Sequence, residues 1–598
     1  MIKVGKERLI VCFSVFSIED PLLSLLLNNV SSYPGVFKYK EAALSCCHPQ
    51  PHCLLLLFCT VRIQLHSVGA MAELESNTCF ICQEKCSICD FCGLVSVCDE
   101  HKTVHRPDNY CYPFTIQHST LAGHYMVAVR DIKQKEIILR EWPVVVGPYT
   151  KADVVHCVEC FKKVDDSVCY KCHKCGYPFC QETCREGSAN HEVECNLFTR
   201  AGWKYQGNGC DFAAITVIRL LHLKQKSPDI YRRLIMLEDH NEYRKKEDKD
   251  LWEYHSLYVI NFICNKLEVD IEVKEVWAVL GKMFTNCGDL ELTNSYARGC
   301  GYYPSYANMN HACRANTKTF KYPDQRLEVR AQVAIARGQE ISTQYVQSMK
   351  ATFSRRPVLK TKWFFDCLCD RCLDPTECGS YMSSLLCTRP APVAARPCGG
   401  SVLSQEPTSG EADWLCQACG LAYTSQYVLD IINDITNDLD TDLETDTDSV
   451  HHFERILHKY STILHPNHYI LIDTKMKLAQ IYGNFAPYKM LTLPRHMMER
   501  KIQVKLFIMQ RHKKCFSLQV CQDLLDVISK VDPGFTKTRG IMLSEMNKTK
   551  LLIAKQNLLT PANIKDKVFQ KYWEKACLEK QFLNMYIAYY QSLFHNSK

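Results

Sequence analysis

Hydrophobic and polar positions give this 598-residue chain three different rhythms. Between 121 and 147 the runs are short and β-rich. Tyr125-Met126-Val127-Ala128-Val129 and Glu136-Ile137-Ile138-Leu139 predict strands. Arg130-Asp131-Ile132-Lys133 predicts the turn between them, with Lys135 where a glycine is usual. Between 211 and 283 the period lengthens to that of a helix. Ala213, Val217, Leu220 and Leu221 recur on one face, and Trp252, Leu257, Ile260 and Ile263 repeat the pattern less strictly. The mixed charges of Arg244-Lys245-Lys246-Glu247-Asp248-Lys249-Asp250 predict a solvated face. From about 450 the helical period returns. Ile472, Met476 and Ala479 share a face, as do Phe569, Trp573 and Ala576, and Thr560-Pro561 is a sound helix start. Paired amphipathic helices stacking as a superhelix fit this stretch.

Elsewhere the rhythm fails. In residues 1–70 the apolar runs Leu9–Phe16 and Cys53–Val61 are too short to span a bilayer. Lys3, Lys6 and Arg8 outline a signal peptide, but no clear small-residue cleavage site follows. Met71-Ala72-Glu73-Leu74 opens the first ordered-looking module, so residues 1–70 read as a disordered, non-native or isoform extension. Thr388–Asp413, rich in Pro, Ala, Gly and Ser, predicts a flexible insertion. Asp438–Asp448 alternates acids but lacks the glycine and closing glutamate of a calcium loop, and predicts a solvated face.

Composition changes the picture at one point. Hydrophobic residues are 46% and charged residues 23%, which suits globular domains with buried cores. A net charge of +7 is mild for this length and argues against dedicated nucleic-acid binding. Cysteine, at 36 residues, is the exception. Many fall in Cys-x2-Cys pairs with interleaved histidine, which reads as zinc in a reducing compartment. Cys79, Cys82, Cys89, Cys92, Cys98, His101, His105 and Cys111 suffice for two four-coordinate ions, with Cys86 left over. Cys157, Cys160, Cys172, Cys175, Cys180, Cys184, His191 and Cys195 suffice for two more, with Cys169 surplus. Cys367, Cys369 and Cys372 supply three thiolates and Cys313 the plausible fourth, which would wrap the chain between them back on itself. Cys387, Cys398, Cys416 and Cys419 could form a ribbon-like site.

Asn310-His311-Ala312-Cys313-Arg314-Ala315-Asn316, then Tyr345, then Phe365-Asp366-Cys367-Leu368-Cys369-Asp370-Arg371-Cys372 resembles the SET-domain lysine methyltransferases, in order and spacing. The 157–195 pattern matches a MYND zinc finger. That resemblance pairs Cys157, Cys160, Cys180 and Cys184 on one ion and Cys172, Cys175, His191 and Cys195 on the other. The 79–111 cluster resembles a degenerate MYND finger, which would pair Cys79, Cys82, Cys98 and His101 and, separately, Cys89, Cys92, His105 and Cys111. A finger inserted after the first SET strands is the layout of the SMYD family. The extra finger and later cysteines look most like its arthropod-specific SMYD-A, or msta-like, branch.

The resemblance implies an α+β multidomain chain: a SET β-fold with inserted MYND finger, a post-SET zinc knot and a C-terminal α-helical, TPR-like lobe. The expected boundaries are 71–112 for the first finger, 113–150 for the first SET part and 157–195 for the MYND finger. They continue with 200–350 for the SET insert and core, 351–375 for the knot, 376–425 for the cysteine-containing insertion and 426–598 for the helical domain. It further implies methyl transfer from S-adenosylmethionine to protein lysine, histone or otherwise, and at least five zinc ions. Tyr345 would be catalytic. Gly123, His124, Tyr125, Asn286, Asn310, His311 and Phe365 would contact the cofactor. A cytoplasmic or nuclear place, a role in transcription regulation and peptide partners for the MYND finger belong to the same expectation, with no membrane contact. Trp363 stands where the family has a second pocket tyrosine, Ala307 where it has serine, and His124 where a basic residue is usual. Those departures favour the other reading, an interaction protein that recruits partners through its fingers and helical lobe.

Overall fold

The computed structural model describes residues 78–79, 81, 84–92, 94–106, 111–150, 154–290, 299–390, 397–439, 446–484 and 518–558. The readings made for residues 1–74, Cys82, Thr560-Pro561, Phe569, Trp573 and Ala576 lie outside them.

Strands β1 (Phe114–Ser119), β2 (Gly123–Ala128), β3 (Ile137–Glu141) and β4 (Val145–Pro148) come first. Lys135 takes the glycine-like turn conformation at φ +75°. The 157–195 cluster follows with its short pair β5 (Tyr170–Lys171) and β6 (Pro178–Phe179), and ends in helix α1 (Glu192–Arg200). Helices α2 (Ile215–Lys226), α3 (Pro228–Ile235), α4 (Asn241–Glu247), α5 (Lys249–His255) and α6 (Val273–Asn286) precede β7 (Gly288–Asp289) and β8 (Gly299–Tyr302). Strands β9 (Thr317–Lys321), β10 (Leu327–Ala331) and β11 (Glu340–Ile341) complete the β core.

The sheets run β1-β2-β11, β3-β10-β9 and β4-β8-β7, all antiparallel. Each therefore joins strands from before the cysteine insert to strands after it. Leu327, Val329 and Ala331 of β10 are buried beside Ile138 and Leu139 of β3 in a single core. The first cluster shares that core, since Cys79, Val95, Val97 and Tyr112 pack with Phe114 and Met126.

Two expectations in the helical insert fail locally. Leu257 is 54% exposed rather than packed, because Ser256–Ile260 winds as a π-helix and shifts the phase of the apolar face. Arg244 is not merely solvated: its guanidinium lies over Phe284 and Phe364 and donates to Thr285 Oγ1 at 2.9 Å.

Helix α7 (Thr352–Trp363) follows the core. The expected flexible insertion is partly a sheet, β12 (Leu385–Leu386), β13 (Ser401–Ser404), β14 (Trp414–Cys416) and β15 (Ala422–Tyr423), in that order. Val402 and Trp414 are buried in it, and apolar packing outweighs the local turn-rich composition. Helices α8 (Ser425–Leu439), α9 (Asp446–Tyr460), α10 (Tyr469–Asn484), α11 (518–531) and α12 (Lys537–Leu558) form the C-terminal lobe. Ile472, Met476 and Ala479 of α10 do share a face, against α11 and α12. Asp438, read as solvated, accepts from Lys459 and Tyr460.

The lobe is tied to the β core around Gln332. Gln332 Nε2 donates to Asp532 Oδ1 at 3.1 Å and to the Pro533 carbonyl. Gly534 follows at φ +86°, and a Cβ there would lie 2.0 Å from the Gln332 carbonyl oxygen. Both the conformation and the approach require glycine.

Candidate active site and metal centres

The loop 305–316 is built from below. The half-buried Glu141 carboxylate accepts from the backbone N–H groups of Ser305 and Tyr306 at 2.9 and 3.1 Å. Asn310 Nδ2 donates to the Ala122 carbonyl at 3.0 Å, which pins the turn before Gly123 to this loop. Thr343 N donates to the Asn310 carbonyl and Ala312 N to the Thr343 carbonyl, so 310–312 lies alongside the segment that leads to Tyr345.

His311 joins two sites. Its Nδ1 accepts from Tyr345 N at 3.0 Å and must therefore be bare. The proton then sits on Nε2, which faces Cys313 Sγ at 3.2 Å. Tyr345 Oη donates to the Met309 carbonyl at 2.7 Å. Burial pushes its pKa up, so the phenol stays protonated. Its ring lies 5.3 Å from His311 and 5.0 Å from Trp363, while Phe365 lies 6.1 Å from His311.

The other expected cofactor residues form a second group. Gly123 has φ +62° and open space where a Cβ would stand. His124 lies tilted against His118 with ring centroids 4.8 Å apart, and burial with that neighbour holds its pKa below the usual value. Tyr125 Oη donates across the strands to Gln117 at 3.1 Å. Asn286 Nδ2 donates to the carbonyls of Glu238 and Lys282 at 2.9 and 3.0 Å, so its amide supports the insert backbone. Tyr345, His311, Asn310 and Phe365 thus gather around one loop. Gly123 joins them through Ala122, while the side chains of Tyr125 and Asn286 hydrogen-bond elsewhere.

Phe364 was missed by sequence reasoning. It ends α7 at φ +59° and turns away from Phe365, toward His240 at 5.6 Å, Tyr243 at 5.8 Å and the Arg244 guanidinium. The adjacent pair Phe364-Phe365 was the one available signal. A cleft of about 570 Å³ opens on the other side of Tyr345. Tyr306, Thr319 and Lys350 face it from the β core, and Asp473, Met476 and Asp532 from the helical lobe.

The cysteines converge. Cys89, Cys92, His105 and Cys111 form one group whose donor atoms lie within 4.8 Å of one another; Cys157, Cys160, Cys180 and Cys184 form another. Cys172, Cys175, His191 and Cys195, then Cys313, Cys367, Cys369 and Cys372, meet the same limit. His101 Nδ1 lies 3.1 Å from Cys98 Sγ and 3.5 Å from Cys79 Sγ, and its Nε2 meets Asp229 of α3. His191 Nδ1 meets Glu194 at 2.9 Å, and Glu194 accepts from Arg219 Nε at 2.9 Å. Arg219 also donates to the Val146 carbonyl of β4 at 2.8 Å. A carboxylate behind a histidine donor fixes the ring for metal.

At the last group Arg355 is fully buried. Its Nε lies 3.2 Å from Cys313 Sγ and its Nη2 3.7 Å from Cys372 Sγ. Glu377 accepts from Arg355 and Arg371 at 2.8 Å each. Burial would raise its pKa, but the two guanidiniums hold it down at about 2.

A SET domain family model matches residues 123–346, the span from the Gly123 turn to Tyr345. The SET domain-containing protein SmydA-8, isoform A, of Drosophila melanogaster is 26% identical over 384 residues, 61% of this chain and 77% of that one. The histone-lysine N-methyltransferase ASHR1 of Arabidopsis thaliana is 23% identical over 51% of this chain and 64% of its own. The N-lysine methyltransferase SMYD2-B of Danio rerio is 28% identical over 36% and 50%. A solved SET domain of LSMT with lysine and AdoHcy overlaps at a TM-score of 0.22 and 10% identity, covering 78% of this chain and 88% of that one, too low to bear on the fold. The strands that close around Tyr345 are those of a SET domain. Those matches make the chain similar to SET-domain proteins of the SMYD type, SmydA-8 among them.

Proposed function

We propose that the protein is an S-adenosylmethionine-dependent protein-lysine N-methyltransferase. The observation that carries this is Tyr345, placed at the end of the matched SET span between the Asn310-His311 loop and an open cleft. The cofactor supplies an activated methyl group. The open space above Gly123 and the Asn310 bond to its turn fit a ligand approaching the backbone there. Gly123, His124, Tyr125, Asn286, Asn310, His311 and Phe365 would hold it, Tyr125 and Asn286 through their backbones, because their side-chain donors are engaged elsewhere.

The remaining work falls to this chain's residues. A target lysine has a free pKa of ~10.4 and must lose its proton to attack. The aromatic wall of Tyr345 and Trp363 disfavours the cation by excluding water. Tyr345 Oη, fixed on the Met309 carbonyl, turns its lone pairs toward the reacting amine and orients it. Trp363 narrows the channel from the side where a hydroxyl is missing. Zinc in the first cluster, the MYND finger and the post-SET knot, at least five ions, fits the sulfur-rich donor sets. Elemental analysis yielding fewer than five per chain contradicts that count. The substrate is a lysine in a histone or another protein, with action in the cytoplasm or nucleus and a role in transcription regulation.

Tyr345→Phe keeps the ring and loses the hydroxyl. Methyl incorporation from labelled cofactor should fall ~10²–10³-fold, while cofactor affinity measured by calorimetry stays within about twofold. Unchanged incorporation removes Tyr345 from the mechanism. No incorporation and no cofactor binding in the wild type favours the adaptor reading, for which the indole of Trp363 against Tyr345 is the specific observation.

A further inference from the structure

Four cysteines outside the SET core and its knot also meet. The donor atoms of Cys387, Cys398, Cys416 and Cys419 lie within 4.8 Å of one another. Cys387 Sγ is 3.6 Å from Cys419 Sγ, and Cys398 Sγ is 3.9 Å from Cys416 Sγ. A disulfide would bring a pair to ~2.05 Å. Zn–S bonds of ~2.3 Å in a tetrahedron put sulfurs about 3.8 Å apart, close to both values.

The backbone is shaped to match. Gly399 follows Cys398 at φ +66° and Gly420 follows Cys419 at φ +70°, so each pair ends in the same left-handed turn. Ala418 N points at Cys416 Sγ at 3.4 Å, and Tyr423 Oη donates to Cys387 Sγ at 3.2 Å. Sulfur that accepts such bonds is suited to the thiolate state.

The cluster also sits at a junction. Cys387 and Cys416 belong to a core shared with Val428 and Ile432 of α8, Ile456 of α9 and Leu471 of α10. Leu386 N donates to the Ile463 carbonyl at 2.7 Å, just ahead of α10. On the other side, Arg356 of α7 donates to the Thr408 carbonyl at 3.0 Å, and Phe353 of α7 meets Trp414 edge-on at 6.3 Å.

We propose that Cys387, Cys398, Cys416 and Cys419 bind a further structural zinc ion, and that this ribbon holds the helical lobe against α7. The site is independent of methyl transfer, so either assignment can fail without the other. The full-length protein is purified in zinc without chelator, and metal per chain is counted by mass spectrometry. Cys419 is exposed, so Cys419→Ser should leave packing intact yet lower the count by one. Cys419→His, which restores a ligand, should recover it. Amide exchange in α10 should accelerate about tenfold in Cys419→Ser and not in Cys419→His. A full zinc count in both Cys419→Ser and Cys387→Ser, or a native disulfide among the four, overturns the site. One ion lost with unchanged exchange in α10 overturns the clamp.

Discussion

Cys157, Cys160, Cys180 and Cys184 make one four-sulfur group and Cys313, Cys367, Cys369 and Cys372 another, yet their surroundings differ. In the first group three of the four are half-exposed, and no cationic side chain donates to its sulfurs among the described residues. In the second, three are buried and a fully buried arginine donates to two of them. Four thiolates around a divalent ion leave net negative charge. At the surface water screens it. In the interior the chain must supply the counter-charge, because an unpaired buried ion is costly. Arg355 does this, and Glu377 with Arg371 completes the network. Equal ligand sets therefore place unequal demands on the rest of the fold.

The comparison can be broken in four places. The largest effect should come from Cys313→Ser. Structural zinc is worth on the order of 10 kcal/mol of folding free energy, so the knot ion should be lost and melting should fall steeply. Metal content and a thermal melt check this; if neither changes, Cys313 is not a ligand. Next, Arg355→Ala should cost ~3–5 kcal/mol in urea unfolding, with Arg355→Lys in between, because a buried charge is left uncompensated. A cost below about 1 kcal/mol would mean that the knot needs no counter-charge.

Acid should act third. Glu377 has a folded pKa of about 2 against an ordinary 4.5. A depressed carboxylate stabilises the fold above its unfolded pKa and loses that contribution as pH falls toward the folded one. The contribution is roughly 3–4 kcal/mol at most, at ~1.4 kcal/mol per unit. The stability gap between wild type and Glu377→Gln should thus narrow between pH 4.5 and 2; a constant gap would refute the linkage. The smallest effect belongs to the exposed group. Arg185 pairs with Glu182 nearby, and Arg185→Ala should move stability by no more than about 0.5 kcal/mol.

Cysteine spacing made the metal groups legible, because ligands for one ion come in short, repeated separations. The Asn310-His311 loop and Tyr345 were legible as a motif. Arg355 was not. It lies on a helix, 42 residues from Cys313, with no periodic or compositional mark. The same holds for Phe364, whose direction depends on a left-handed residue at a helix end. Leu257 failed because a π-helical turn breaks the 3.6-residue period on which the reading relied. Ser401–Ser404 hid as a strand because only Val402 and Leu403 are apolar there, and they are buried by packing that the local sequence does not show. For Arg355 and Ser401–Ser404 the missing information is a contact between distant parts of the chain; for Leu257 and Phe364 it is a local departure of the backbone.

The distance between the lobes that flank the cleft depends on the absence of one side chain. Gly534 lets the lobe backbone come so near the Gln332 carbonyl that even a methyl group has no room. Any larger residue at 534 acts as a shim, prying the helices off the sheet while every cleft-facing side chain keeps its identity. The width of the cleft is therefore tied to a glycine that does not itself face it.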